Sequence, residues 1–260
     1  MKVKVISDCH LEFDKPDEEF DPGTGDILVL AGDICMAAEY SWEDNDFFKK
    51  CVQGYNRVFY VLGNHEHYNG DFNRTLDILR NELPIGVTIM NNRSEFVDGV
   101  HFIGATMWTN MDNFSGLTIE NARRSMNDYH CVENFSPEKA IEEHCFSREW
   151  FERCLPMLRG PVFMMTHHAP SPKSVKGRYS DLQGAYSSDM ESFIVKYPSI
   201  KWWAHGHIHH NNDYMVGECR VMSNPRGYNH SELNPEFNID FEVDIPEEVR
   251  YTKGVTEAAR

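Results

Sequence analysis

The chain has 260 residues, of which 41% are hydrophobic and 25% charged, a composition typical of a globular protein large enough for a sizeable core. Its formal net charge of −16 argues against non-specific binding of duplex nucleic acid through a basic face. The longest apolar runs are too short to cross a bilayer and no signal peptide opens the chain, so we expect a cytoplasmic protein with no membrane contact.

Short apolar segments alternate with amphipathic ones along much of the chain. The alternation predicts strands at 2–7, 26–32, 57–63, 87–92, 100–106, 161–166, 200–205, 213–224 and 237–245. Residues 41–55 and 73–83 have the spacing of helices. A longer helix is predicted to begin after Ser136, an N-cap residue followed by proline, and to stop before Gly160.

The order of these elements indicates the fold class. Strands and helices alternate in the first part, and the C-terminal third is rich in strands, which predicts two mixed β-sheets packed as a sandwich and flanked by helices, of the α/β or α+β class. The chain has no repeat and no linker composition, so a single domain over 1–260 is expected. Within it, 107–160 is expected to form a helical excursion, and 252–260 a frayed tail.

The histidines and cysteines differ in what they suggest. Seven cysteines are scattered without a CxxC pair, so free thiols in a reducing compartment are expected. Thirteen histidines are more informative, because imidazole binds metals and carries protons near neutral pH. Several of them follow directly on predicted strands.

Five predicted strands end in side chains that can bind metal. In chain order these are Asp8 and His10, Asp33, Asn64 and His65, His167 and His168, and His205 and His207. Each pair alone is more often a solvated turn than a ligand. Because the carboxyl ends of strands meet at one edge of a layered α/β protein, however, five such endings in order predict a site.

The order of these motifs resembles that of the calcineurin-like metallophosphoesterases. The matching segments are Asp8-x-His10, Gly32-Asp33, Gly63-Asn64-His65-Glu66, His167 and the HGH sequence at 205–207. HHAPS and NPRGY resemble the bacterial and phage-type branch. The second motif reads GDICMAAEY and lacks the GDxVDRG extension of protein serine/threonine phosphatases, which disfavours that branch. The resemblance implies a four-layer α/β/β/α fold.

The resemblance also implies a centre with two metal ions. One ion would be held by Asp8, His10, Asp33 and His207, and the other by Asp33, Asn64, His167 and His205, with Asp33 bridging ions about 3.5–4 Å apart. A nitrogen and oxygen donor set without thiolate suits Mn²⁺, Fe, Zn²⁺ or Ni²⁺ better than Ca²⁺ or Mg²⁺ alone, and Mn²⁺ is the ion expected. His168, His209 and His210 are expected to flank the ligands without binding metal.

The implied reaction is hydrolysis of a phosphomonoester or phosphodiester, by in-line attack of a hydroxide that bridges the ions. His65 would assist the leaving group, as a general acid or as a stabiliser of the transition state. Arg226 and His67 are candidates for substrate contact, with a structural salt bridge and a place on a turn as the respective alternatives.

The resemblance leaves several functions open. A nucleotide or nucleic-acid end, another small phosphoester and a pyrophosphate are all compatible with the fold and metal site. A binding scaffold without catalysis is the alternative from another class, and the presence of His65 with all seven ligand positions favours the enzyme. The sequence leaves the oligomeric state open.

Overall fold

Two β-sheets carry most of the strands of the protein, whose computed structural model describes residues 1–14, 20–43, 45–177 and 182–250. The strands are β1 (Lys2–Ile6), β2 (Gly25–Ala31), β3 (Tyr55–Val61), β4 (Gly70–Asp71), β5 (Val87–Ile89), β6 (Arg93–Val97), β7 (Val100–Ala105), β8 (Val132–Glu133), β9 (Val162–Thr166), β10 (Ile200–His205), β11 (Asn212–Val216), β12 (Cys219–Ser223), β13 (Gly227–Tyr228), β14 (Glu232–Leu233) and β15 (Glu242–Asp244).

The helices are mostly short. They are α1 (Phe47–Gly54), α2 (Phe72–Glu82), α3 (Met111–Phe114), α4 (Gly116–Ser125), α5 (Asp128–Cys131), α6 (Pro137–Cys154), α7 (Gln183–Tyr186), α8 (Glu191–Lys196) and α9 (Glu247–Arg250). α3 is a single turn of left-handed backbone, since its residues have positive φ. Among the helices of the described ranges, none combines the length and apolarity that a membrane span requires.

Both sheets are mixed. The first has the order β15-β1-β2-β3-β5, in which β15 alone runs antiparallel to its neighbour. The second has the order β11-β12-β10-β9-β7-β6, with a parallel centre and an antiparallel strand at each edge. In both sheets, therefore, the central strands run in parallel and end together.

The two sheets pack face to face over a buried core. Alternate side chains of β2 point to opposite faces, so that Ile27 and Val29 contact the second sheet while Leu28 and Leu30 face the helices. Phe59 of the first sheet meets Phe102 of the second with ring centroids 5.0 Å apart. Truncating such a ring to alanine costs about 3–5 kcal/mol, so this contact contributes strongly to the sandwich.

Helices cover the outer faces and complete four layers. α1 and α2 pack on the first sheet, where Phe47, Phe48 and Leu79 are buried. α6 and α8 pack on the second sheet, where Phe151 and Phe193 are buried. The α/β/β/α arrangement and the mixed sheets predicted above are therefore confirmed.

Most strand predictions hold, and the exceptions have local causes. The run 213–224 is a hairpin of β11 and β12, because Gly217 turns with φ 58° between them. β6 was not predicted, and the last strand is shorter than the predicted 237–245. α6 begins as predicted, with the Ser136 hydroxyl accepting from the backbone N–H of Lys139 at 3.2 Å. The single domain stays a prediction, and the tail 252–260 lies outside the described residues.

Candidate metal centre

The carboxyl ends of the central strands of both sheets meet at one edge of the sandwich. The loops after β1 and β2 stay paired there, since the backbone N–H of Asp8 donates to Gly32 and that of His10 to Asp33 at 2.9 and 3.0 Å. The loop after β10 is tied to that after β9 by the N–H of Gly206, which donates to His167 at 2.9 Å. The loops that carry the ligand-type side chains therefore form one connected surface.

Four residues of these loops have left-handed backbone. Their φ angles are 51° at Asp8, 46° at His10, 54° at Asp33 and 67° at His207. This region is sparsely populated by residues other than glycine and costs free energy that the surrounding structure must offset. The conformation turns each chain sharply after its strand, and it aims the side chains into a common space instead of along the sheet.

The carboxylate of Glu66 braces the same loops. It accepts from the backbone N–H groups of Gly63 at 2.6 Å, Ile34 at 2.7 Å and Asp33 at 3.0 Å, and from the hydroxyl of Tyr60 at 2.6 Å. Glu66 is fully buried, and burial together with the charge of Asp33 raises its pKa to about 7. One side chain thus fixes the loop after β2 to the loop after β3.

Asp33 lies at the middle of the cluster. Its Oδ1 is 3.3 Å from Nε2 of His167, and its Oδ2 is 3.8 Å from Nε2 of His10. Beside it, the amide oxygen of Asn64 is 2.9 Å from Nε2 of His167 and 3.1 Å from Nδ1 of His207. The two carboxylate oxygens therefore face different sets of potential ligands.

The far end of the cluster is formed by Asp8, His10 and His209. Nε2 of His209 lies 3.2 Å from Nε2 of His10 and 3.5 Å from Oδ1 of Asp8. In both the group of Asp8, His10 and His209 and the group of Asp33, His167 and His207, the potential ligand atoms all lie within 4.8 Å of one another. A third such group, of His10, Asp33 and His65, overlaps both, and the two groups that share no residue mark two adjacent places for an ion.

His205 lies outside this cluster, and His209 lies inside it, opposite to the expectation for each. Both ring nitrogens of His205 are already engaged, Nε2 with the Ser174 hydroxyl and Nδ1 with the Gly206 carbonyl, each at 2.9 Å. His205 ends β10 and follows the alternation of that strand, whereas the left-handed turn at His207 redirects the chain. The histidines that this loop brings to the cluster are therefore His207 and His209, two positions on from the expected pair of His205 and His207.

A sequence signal for this shift exists at Gly206. A Cβ there would lie 2.6 Å from the carbonyl oxygen of Ala31 and 2.8 Å from Oδ2 of Asp8, so that only glycine fits. Gly206 is thus the residue that packs closely against the loops after β1 and β2. The histidines that the sequence assigns to the cluster are then the two that follow it, in the pattern Gly206-His207-Ile208-His209.

Neither predicted substrate residue lines the cavity over the cluster. Arg226 donates to Oδ2 of Asp14 and to the Cys9 carbonyl, both at 2.9 Å, which is the structural salt bridge named as its alternative. His67 is buried against Phe72, with ring centroids 4.7 Å apart, and burial lowers its pKa to about 3. His67 therefore packs against apolar side chains instead of facing a substrate, and its position in the sequence does not indicate this packing.

The ionisable groups of the cluster favour a bound cation. Asp8 and Asp33 are fully buried, and burial by itself raises a carboxyl pKa, yet the neighbouring imidazoles hold the pKa of both below the usual range. In turn, although burial opposes it, the charge of Asp33 raises the pKa of His167 to about 10. Two buried carboxylates require positive charge nearby, and a metal ion supplies more of it than a proton does.

Unpaired polar atoms also fit metal binding. Oδ2 of Asp8 and Nε2 of His207 are buried and have no hydrogen-bond partner among the described residues. His167 donates through Nδ1 to the Ala31 carbonyl at 2.9 Å, so its Nε2 faces the cluster and would bind a cation on giving up its proton. Buried polar atoms without partners are rare in proteins, and cations bound at the two places would offer partners to them.

His65 stands at the rim of the cluster between two hydrogen-bonding groups. Its Nδ1 is 3.0 Å from the carboxylate of Glu12, and its Nε2 is 3.2 Å from the hydroxyl of Tyr228. Burial disfavours its charged form, but Asp33 and Glu12 outweigh burial and raise its pKa. His65 is therefore suited to carry a proton.

The helical segment 107–160 reaches the cluster through Asp128. One oxygen of this buried carboxylate accepts from the Asn64 amide at 2.8 Å and from the Tyr68 hydroxyl at 2.6 Å. A cavity of about 230 Å³ lies over the cluster and is lined by Asp33, Asn64, His65, Tyr68, Ser125, Met126, Asn127, Asp128, Tyr186, His207, His209, Tyr228 and Glu232. The segment therefore forms one wall of the site.

Comparison with known proteins agrees with this geometry. The sequence model of the calcineurin-like phosphoesterase family matches residues 1–211. Uncharacterized protein L509 of Acanthamoeba polyphaga mimivirus is 29% identical over 278 residues, covering 92% of this chain and 96% of that protein. The crystal structure of phosphopantetheinyl hydrolase from Mycobacterium tuberculosis shares the fold at a TM-score of 0.64 and 15% identity, covering 87% of this chain and 89% of the other. The chain belongs to the calcineurin-like phosphoesterase family and is a metal-dependent phosphoric ester hydrolase.

Proposed function

We propose that the enzyme binds two ions through a ligand set shifted from the one expected from the sequence. The first ion is held by Asp8, His10, Asp33 and His209, and the second by Asp33, Asn64, His167 and His207. The observation that carries the proposal is the position of Asp33, whose Oδ1 lies 3.3 Å from His167 and whose Oδ2 lies 3.8 Å from His10. A carboxylate so placed can bridge two cations.

The donor types set the chemistry of the centre. Imidazole nitrogens and carboxylate or amide oxygens without thiolate suit Mn²⁺, Fe, Zn²⁺ or Ni²⁺, and Mn²⁺ is the ion that we propose. When bound, the ions lower the pKa of a water molecule and polarise a phosphoryl oxygen. Two divalent ions carry four positive charges against the two negative charges of Asp8 and Asp33. The ions with their two carboxylate ligands are therefore net positive within an acidic protein, which favours a phosphate group.

His65 is the proposed proton donor to the leaving oxygen. Glu12 accepts from Nδ1 and fixes the ring, so that Nε2 faces the cavity beside Tyr228. Proton transfer to the departing alkoxide is worth about 10²–10⁴-fold in rate. Water attacks phosphorus directly and in line with the leaving group, with no covalent enzyme intermediate.

The substrate we propose is a small phosphomonoester or phosphodiester, with nucleotides included. The cavity of about 230 Å³ over the cluster is of the size of a phosphoryl group and the atoms next to it. The charge of −16 disfavours long nucleic acid duplexes, which would be repelled before contact.

Metal removal and return tests the proposal. Chelation should abolish hydrolysis of p-nitrophenyl phosphate and of bis(p-nitrophenyl) phosphate, and Mn²⁺ should restore it with about two ions per chain by elemental analysis. Hydrolysis that survives complete stripping would contradict the metal role. Two bound ions without turnover of any phosphoester would identify a binding scaffold instead.

A further inference from the structure

A second cavity adjoins the one over the ligand cluster. Its volume is about 660 Å³, within the range of sites for small organic molecules, whereas the cavity over the cluster has about 230 Å³. The two share four lining residues, namely His65, Tyr68, Asn127 and Tyr228. We call the larger cavity the side groove. A molecule bound at the cluster therefore lies next to the side groove, with these four residues along the shared boundary.

The lining of the side groove is more apolar than polar. Phe13, Met36, Tyr68 and Tyr228 supply apolar surface, and three asparagines, Ser231, His65 and His230 supply polar atoms. The ring of Phe13 is 43% exposed and lies edge-on to Tyr228, with centroids 5.4 Å apart. None of the described residues that line the groove is lysine or arginine. The groove thus suits an uncharged ring better than a second phosphate.

The position of His65 indicates which part of a substrate the side groove would bind. His65 stands between the two cavities, and its ring stacks on Tyr68 with centroids 4.1 Å apart. This step rests on the proposed function: in-line attack from the metal side puts the leaving oxygen on the far side of phosphorus, and if His65 contacts that oxygen, the group attached to it lies beside His65. The side groove, which His65 also lines, offers the room for that group.

We propose that the side groove binds the alcohol part of the substrate, and that this alcohol is uncharged and carries a planar ring. The substrates are then phosphoesters of ring-bearing alcohols, in preference to pyrophosphates and to esters of small or anionic alcohols. Phe13 is the specificity-determining residue, because it is half exposed in the free enzyme and offers its ring to the ligand.

Phosphonates that cannot be hydrolysed test the proposal by calorimetric titration of the Mn²⁺-loaded protein. Phenylphosphonate should bind about three- to tenfold more tightly than methylphosphonate, the gain expected from one aromatic contact. 3-Phosphonopropionate, whose side group is anionic, should show no such gain. Phe13→Ala should remove the advantage of the phenyl group and leave the affinity for methylphosphonate unchanged.

Phe96→Ala is the matched control, since Phe96 is 60% exposed on β6 and lines neither cavity. It should keep the wild-type ratio of affinities. Equal binding of phenylphosphonate and methylphosphonate by the wild type, or an unchanged ratio in Phe13→Ala, would contradict the proposed role of the side groove. Neither result would bear on the proposed metal centre. Failure of every phosphonate to bind the loaded protein would instead contradict the proposed function.

Discussion

The edge of the sandwich that carries the potential metal ligands and the helical wall of the site are stabilised by different contacts. At the edge, loops from both sheets are joined by backbone hydrogen bonds, and Glu66 alone accepts from three backbone N–H groups and a tyrosine. The wall formed by 107–160 meets this edge through Asp128, which contacts Asn64 and Tyr68. Substitutions at the edge should therefore abolish function or folding, whereas substitutions in the wall should lower activity or stability more moderately.

The largest effect is expected for a pair of histidines at the edge. His209→Ala should lose one of the two ions and lower kcat/KM by more than about 10³-fold, because the ions activate the water. His205→Ala is the control two positions earlier and should keep both ions, since its ring nitrogens bond Ser174 and Gly206. Elemental analysis of both variants decides between the two ligand sets. Loss of an ion only in His205→Ala would restore the original assignment.

His65→Ala should separate metal binding from proton transfer. We expect both ions to remain and kcat to fall by about 10²–10³-fold on an alkyl phosphoester, which needs protonation of its leaving group. The loss should be smaller on p-nitrophenyl phosphate, whose leaving group is a stable anion. An equal loss on both substrates would remove His65 from the role of acid.

Glu66→Gln tests the brace of the edge. The amide replaces an oxygen that accepts from backbone N–H groups with a donor, so we expect a loss of about 2–4 kcal/mol in the free energy of unfolding. Urea denaturation measures it. Glu142→Gln is a control because that side chain is 70% exposed, and it should change stability by less than about 0.5 kcal/mol. An unchanged stability in Glu66→Gln would show that the loops hold without the brace.

Asp128→Asn tests the contact between wall and edge. Asp128 holds the Asn64 amide with its oxygen toward His167 and His207, so the variant should weaken the second ion and lower kcat/KM by about 10–100-fold, as is usual for groups that orient a ligand. The exposed Asp77→Asn should behave as wild type. Full activity in Asp128→Asn would mean that the wall only encloses the site.

Acid should lower the stability of the protein through His144 of α6, in the helical wall. Its Nδ1 donates to the Met107 carbonyl at 3.0 Å, and burial lowers its pKa to about 4. The unfolded chain takes up this proton below about pH 6.5 and the folded protein only near pH 4, so stability falls across that window, by about 2 kcal/mol between pH 7 and pH 5. His144→Leu should lose stability less steeply over this range. A slope equal to wild type would contradict a buried neutral imidazole.

The sequence predicted the edge better than the wall, for a physical reason. Buried strands appear in the sequence as apolar runs. A polar residue that follows such a run, such as Asp33, can therefore be placed at the edge of a sheet. The roles of His205 and His209 depended instead on a left-handed turn within a loop, which periodicity does not report. The contact of Asp128 with Asn64 joins residues 64 positions apart, and no local pattern predicts it.

The strained backbone of the ligand loops has a consequence beyond this chain. Asp8, His10, Asp33 and His207 occupy a conformation that glycine would adopt at a saving of about 1 kcal/mol or more at each position. The side chains offset part of this cost, since Oδ1 of Asp8 accepts from the backbone N–H of His207 and Oδ1 of Asp33 from that of His65, each at 2.9 Å. A relative with glycine at these positions should therefore lose both turnover and the bonds that join its loops.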